Sequence, residues 1–346
     1  MLISGTSLSR RTVLKSAAAT VALAGGGVAL SVSPARADTA TVNLQLGWLA
    51  GNNQIGEFMA AKLGYYRDAE LETKIIPGGP NVNGLPLVAT GRYEFGQLAS
   101  SAALMQAVGS NNFPVKAFAV GVQRHPFAFF SLADNPIRSV KDMVGKRIGV
   151  QSTAIVLLRA LLLKNQIDPK EVTVVTIGSD MAPLLNKQVD AATTWETNLN
   201  ALQALGDKRV TLPLWDTGVK LYALLYYGKD SFLTDKADIV KRFTTATARG
   251  WAYAYANREE AITTLLESVP GLDKAAETAA VDALFKFAVS ADTKANGWGA
   301  MSTEIWAEQL KLFADLGEFP KRVPALEEVM TQDILAATAA DRPKIG

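Results

Sequence analysis

The sequence predicts an α/β fold: parallel-rich sheets flanked by helices, arranged as two lobes, with further helices toward the C-terminal end. Three observations predict it. Residues 44–83 read as strand, loop, helix, strand and glycine-rich turn, one βαβ unit, which requires a parallel sheet and a right-handed crossover. A second series of short apolar runs and capped helices begins near Ser139. From Lys236 the strand signal stops and helical periodicity takes over.

In the first unit, Leu44, Leu46 and Trp48 alternate with Gln45 and Gly47, the period of a strand. Gly51-Asn52-Asn53 breaks the run, and Asn52 or Asn53 is suited to accept from a free N–H and cap the next helix. Ile55, Met59, Leu63 and Tyr66 then fall on one helical face. Leu71, Thr73 and Ile75 alternate again before Pro77-Gly78-Gly79-Pro80 and Asn81. Ser100-Ser101 cap a helix over 102–108. Val115–Val122 and Phe127–Leu132 are nearly continuous apolar runs, as in strands covered on both faces.

In the second series, 146–150 reads as a strand followed by Ser152-Thr153 as a helix cap. Residues 172–177, 189–195 and 210–214 read as strands, with Glu196-Thr197-Asn198 opening a helix after Trp195. Residues 221–227 read as a strand returning to the first half. Long helices are expected near 239–257, 258–268, 274–289 and 302–316. The predicted organisation is a segment 1–37, a first lobe of 38–126 with 227–346, and a second lobe of 127–226. The apolar runs at 127–132 and 221–227 are expected to carry the two crossings.

Composition narrows the chemistry. The 346 residues are 49% hydrophobic and 20% charged, globular values with enough chain for two lobes. There is no cysteine, so disulfides and thiolate metal sites are excluded. The one histidine, His125, excludes a multi-histidine metal site and leaves little for acid–base catalysis; a buried, satisfied role is expected for it, with ligand contact second. No dinucleotide-binding glycine fingerprint, Walker motif or metal cluster is visible, and no cofactor is expected.

Ser9-Arg10-Arg11-Thr12-Val13-Leu14-Lys15 matches a twin-arginine export signal. A weakly apolar run and the small-x-small site Ala35-Arg36-Ala37 follow it, so the mature chain is expected to begin at Asp38 in a periplasm. Removing Arg10, Arg11, Lys15 and Arg36 leaves 31 of the 35 basic residues against 33 acidic, a formal −2. That balance gives nucleic acid nothing to bind.

A Trp ending the first strand, a Gly-rich loop, a helix running into Gly64-Tyr65-Tyr66, a strand and Gly78-Gly79-Pro80-Asn81 together resemble the solute-binding proteins of bacterial ABC importers. The class is that of nitrate, sulfonate and taurine, and within it the branch resembling thiamine-pyrimidine precursor binders. Residues 144–150 and 189–192 fit the same order. The resemblance implies a two-lobe, type II-like periplasmic binding protein that acts as a monomer without a cofactor. It would close on a small-molecule ligand and dock on an ABC permease in the inner membrane. It also implies that a carboxylate near Trp195 meets the amino group of a pyrimidine, a role carried onto Glu196.

The candidate ligand site lies where strand ends run into capped helix starts, because ligands of open α/β sheets bind beyond the carboxyl ends of strands. The residues are Trp48, Asn52, Asn53 and Asn81, then Ser100 and Ser101, then Ser152 and Thr153, then Trp195 and Glu196. Each Ser, Thr or Asn also reads as a helix cap, each Trp as packing, and Glu196 as an acid favoured by a helix dipole. The expected ligand is a planar aminopyrimidine, with nitrate, a sulfonate or taurine as the alternative. An enzyme is the less favoured reading: the eukaryotic thiamine-pyrimidine synthase of this fold relies on a histidine and a Cys-rich motif, and this chain has no cysteine. A sensor partner is a further reading.

Overall fold

The computed structural model describes residues 39–79, 82–178 and 180–346. The export segment expected at 1–37, the mature start at Asp38 and the candidate Asn81 lie outside the described residues. The first sheet is built from β1 (Ala40–Gln45), β2 (Leu71–Ile76), β3 (Phe95–Leu98), β4 (Val115–Val122) and the late strand β10 (Ala223–Lys229), in the order β2-β1-β3-β10-β4. The second holds β5 (Phe127–Leu132), β6 (Arg147–Val150), β7 (Thr173–Thr176), β8 (Ala191–Trp195) and β9 (Arg209–Pro213), in the order β7-β6-β8-β5-β9. The two orders correspond place for place. Three parallel strands lie beside one antiparallel strand, β10 or β5, which pairs with the last strand of each sheet.

The continuous apolar runs become β4 and β5 with the expected bounds, because strands covered on both faces have no polar side to alternate with. Neither β5 nor β10 is shared between the sheets, however. β5 pairs only within the second sheet and β10 only within the first, so Ala223–Tyr226 belong with the first sheet. The expectation that 127–132 and 221–227 carry the crossings is corrected: the chain passes between sheets at 123–126 and 220–222. There the His125 N–H donates to Leu221 O at 2.9 Å, tying the two passages together. His125 is buried, its Nδ1 accepts from Phe127 N at 3.2 Å, and burial lowers its pKa to about 3. The neutral, satisfied histidine expected from the sequence is what the structure holds.

One continuous apolar core runs from the first sheet under the crossings to the helix Ile155–Lys164, and a smaller cluster around Phe130, Met181 and Leu202 covers the other face of the second sheet. Phe95, Phe118 and Phe243 form its aromatic centre, with Phe95 4.6 Å from Phe243 and 5.1 Å from Phe118, centroid to centroid. Burying each such ring contributes roughly 1.5–3 kcal/mol. The helix Ala237–Ala256 lies on the helix Ile55–Lys62 so closely that a Cβ on Gly250 would sit 2.1 Å from Gly56 O. Only a glycine admits that approach. The contact seats the first crossover helix and the buried Glu57 it carries.

Candidate functional site

A cavity of about 530 Å³ opens where strand ends of both sheets meet. Residues 47–54 after β1 form one wall and 97–99 at the end of β3 the floor beside it. Thr194, Trp195 and residues 197–200 after β8 form the opposite wall. Leu224 of β10 and the first turns of the helix Lys274–Ala288, with Ala276, Glu277 and Ala280, complete it. Gly47 allows the first wall to lie against the floor, since a Cβ there would meet Gln97 O at 2.6 Å. Leu224 holds φ +51°, a left-handed conformation uncommon for a bulky side chain, where β10 enters the sheet beside the cavity.

Trp48 and Trp195 both line the cavity, from opposite walls. Trp48 is 55% exposed and lies past the end of β1, held by Gly78 N donating to Trp48 O at 2.9 Å. Trp195 ends β8, is half-buried, and packs edge-on against His125 with centroids 5.2 Å apart. Asn52 and Asn53 line the cavity but cap no helix, contrary to expectation. The short 3-10 turn Asn52–Gln54 starts from Gly51, whose N–H donates to Gln54 Oε1 at 3.1 Å. That frees Asn52 to donate from Nδ2 to Glu277 Oε2 at 3.0 Å, across 225 residues of sequence. The Asn53 Oδ1 atom is buried without a hydrogen-bond partner.

Four other expected residues sit elsewhere. Ser100 Oγ accepts from Ala102 N at 3.1 Å and caps the helix Ser101–Asn111, a structural use only. Ser101 is buried, with its Oγ accepting from Tyr222 N at 3.3 Å. Ser152 and Thr153 are exposed and outside the cavity. The Gln151 side chain before them turns back to donate to Thr193 O at 2.7 Å and Gly178 O at 3.2 Å.

Glu196 is also displaced from the role the resemblance implied. It does not line the cavity, and its neighbours in charge are Asp216, Arg124 and Arg209. Burial, and then Asp216, raise its pKa above the ordinary carboxylate value. Glu196 is the first turn residue after β8, and its N–H donates to Pro126 O at 2.8 Å, on the side of the passage at 123–126. The carboxylate in the cavity is Glu277, only 7% exposed, and it is the one charged side chain among the described lining residues. Its only local signal is an acid in the first turn of a helix, which many surface helices share.

Under the floor runs a chain of hydrogen bonds. Gln54 Nε2 donates to Gln97 Oε1 at 2.6 Å, and Gln97 Nε2 donates to Glu57 Oε1 at 2.9 Å. Tyr226 OH donates to the same Glu57 oxygen at 2.6 Å and accepts from Trp251 Nε1 at 3.2 Å. Burial drives the Glu57 pKa up to about 7, against the lowering effect of these hydrogen bonds. Among the described residues no group of three His, Asp or Glu is placed to hold a metal ion.

The family model described as "NMT1/THI5 like" matches residues 52–261, more than half of the chain. The chain belongs to the NMT1/THI5-like family. The match begins at Asn52, so it takes in the end of the first wall, the floor and the second wall of the cavity; Trp48 lies before it and Glu277 after it. In sequence the chain is 24% identical over 237 residues to a 4-amino-5-hydroxymethyl-2-methylpyrimidine phosphate synthase of Legionella pneumophila, covering 67% of this chain and 74% of that one. It is 28% identical over 162 residues to the riboflavin-binding protein RibY of Chloroflexus aurantiacus, covering 45% of this chain and 46%, under half, of that protein. In structure it resembles the periplasmic aliphatic sulphonate-binding protein SsuA of Escherichia coli, with a TM-score of 0.65 at 15% identity over 84% of this chain and 92% of that one. SsuA of Xanthomonas axonopodis matches with a TM-score of 0.62 at 18% identity, over 86% and 100% of the two chains. The NMT1/THI5-like chain thus has the periplasmic-binding-protein fold, with two five-stranded sheets flanked by helices.

Proposed function

We propose that this chain is the solute-binding component of an ABC importer and that its cavity takes a small, planar, neutral or cationic heterocycle, an aminopyrimidine first. The observation that carries this reading is the charge of the cavity. Its described lining holds one carboxylate, Glu277, and no Lys, Arg or His. A buried carboxylate repels an anion and accepts strongly from an amino group. Nitrate or a sulfonate would want cations or several converging N–H donors instead. Trp48 and Trp195 supply flat apolar faces on the two walls, and stacking adds about 0.5–1.5 kcal/mol beyond burial.

In this reading the two sheets belong to two lobes, and the passages at 123–126 and 220–222 act as the hinge. The ligand-closed form docks on a permease of the inner membrane. The twin-arginine segment delivers the mature chain, as a monomer, to the periplasm. Titration calorimetry against an aminopyrimidine panel, riboflavin, nitrate and taurine tests the ligand class. Tight binding confined to the amino heterocycles is expected. Tight nitrate or taurine binding that survives Trp48→Ala and Trp195→Ala would overturn it.

The names of relatives keep a second reading, a pyrimidine-forming synthase, in view. Against it stand the histidine and Cys-rich motif that such an enzyme relies on: the one histidine here, His125, does not line the cavity and packs edge-on against Trp195, and the sequence has no cysteine. Mass spectrometry of a bound ligand before and after prolonged incubation separates the readings. Unchanged ligand mass fits a binder, and conversion of the ligand fits the synthase.

A further inference from the structure

We propose that Glu57 is a positioning residue for the cavity, acting through a one-way amide relay of Gln97 and Gln54 that ends on the Gly51 N–H. The relay has a direction because each amide has one accepting and one donating end. Glu57 Oε1 accepts from Gln97 Nε2, so the Gln97 oxygen must face Gln54. The Gln54 oxygen is then turned to Gly51 N. If Glu57 presented a donor to Gln97, both amides would reverse, and Gly51 N–H would face an NH₂ group instead of an oxygen. Glu57, Gln54 and Gln97 are almost wholly buried, so water cannot substitute for a lost partner. Gly51, Gln54 and Gln97 line the cavity, and Asn52 next to Gly51 holds Glu277. The orientation of the first wall therefore depends on a carboxyl group that does not itself line the cavity.

The second Glu57 oxygen, Oε2, is buried without a partner. A proton can therefore reside there while Oε1 keeps its two donors, and its arrival weakens Oε1 as an acceptor by removing the charge. Two titratable groups face Glu57 directly or through its field, Tyr226 and Tyr66. Burial raises both phenols well above their ordinary range, so they stay protonated near neutrality. Other charged side chains of the packed helices find partners away from Glu57: Lys62 with Glu267, Glu260 with Tyr253 OH, Arg242 with Asp238, Arg258 with Asp282, and Arg249 over the Tyr65 ring; Glu259 is exposed and Lys241 partly so. Glu57 is thus the group of this network that changes charge near neutral pH. Its deprotonated form holds the relay more firmly.

The test needs no knowledge of the natural ligand. Proton–nitrogen spectra of the whole protein are followed across neutral pH. The Gly51 amide and the side-chain NH₂ groups of Gln54 and Gln97 are expected to titrate together in the wild type and to stop titrating in Glu57→Gln. That variant keeps an accepting oxygen and removes the proton. Independent midpoints, or a common midpoint that survives Glu57→Gln, would overturn the relay. If Glu57→Gln does not fold, the common wild-type midpoint decides alone.

A second arm uses 2-aminopyrimidine, which is uncharged over this range, as the calorimetric probe. Wild-type affinity should rise about threefold or more between pH 6 and pH 8, and that rise should vanish in Glu57→Gln. Gln54→Met, which breaks the relay and keeps the bulk, should lose about tenfold affinity at pH 8 and lose the pH-dependent rise, in protein that circular dichroism shows to be folded. Full affinity in Gln54→Met would overturn the positioning role. A probe that binds no variant would count against the proposed ligand class and leave the spectra to decide the relay.

Discussion

The loops after β1 and after β6 occupy the same place in two sheets of the same strand order, yet only the first walls the cavity. Each contains a glutamine at the start of its helix. Gln54 reaches across to Gln97 of the neighbouring strand β3 and so ties the first wall to the cavity floor. Gln151 turns inward to carbonyls of its own sheet, at Thr193 and Gly178, leaving Ser152 and Thr153 exposed. Topology makes a strand end available for a ligand. Whether it is used depends on where its polar side chains find partners.

The largest way to break this comparison is at the seat of the first loop's helix. Gly250→Ala forces a Cβ against Gly56 O and Ala60, backbone that cannot swing aside. It should cost about 3 kcal/mol in denaturant unfolding, the upper range for overpacking, because the helix Ile55–Lys62 must move. The second sheet has no such contact to lose at Gly145, where a Cβ would meet nothing within 4 Å.

The two buried titrating groups should act with opposite sign. The pKa of Glu57 is raised from its ordinary 4.5 to about 7, so its contribution is fully present below the ordinary value and is lost as pH rises through the folded one. Relative to Glu57→Gln, the wild type should lose up to about 3 kcal/mol between mildly acid and mildly alkaline pH. His125 is lowered from 6.5 to about 3, so its contribution is present above 6.5 and falls away as pH drops below it. Urea melts of wild type, Glu57→Gln and His125→Asn across pH check both signs; a wild-type curve parallel to Glu57→Gln would remove Glu57 from the account.

Smaller effects sharpen the contrast between the walls. Trp48→Ala and Trp195→Ala should each weaken an aminopyrimidine about tenfold or more, a loss of about 1.4 kcal/mol in stacking and burial. Glu277→Gln should weaken the same ligand, and Glu196→Gln should not, which calorimetry on the pair reads directly. Smallest of all, Ser152→Ala and Thr153→Ala should leave affinity unchanged and stability within about 0.5 kcal/mol, as for exposed positions without partners. A clear loss of binding in either would bring the loop after β6 back into the site.

What the sequence determined by itself is local and periodic. The unbroken apolar runs set β4 and β5 residue for residue, and the helix Arg258–Ser268 likewise, because burial on both faces or on one helical stripe leaves its mark within a few positions. Trp48 and Trp195 were legible as cavity residues for a related reason: Trp48 stands just past the end of β1 and Trp195 is the last residue of β8. The sequence could not choose between carboxylates. Glu196 and Glu277 both stand near the start of a helix, where an acid is favoured by the exposed N–H groups whatever its function. The turn after β8 ties Glu196 N–H to Pro126 O and leaves its carboxylate outside the cavity. The packing of a C-terminal helix, 225 residues from Asn52, brings Glu277 in. That choice is made by contacts between distant segments, which leave no periodic mark on either, and only the tertiary structure decides it.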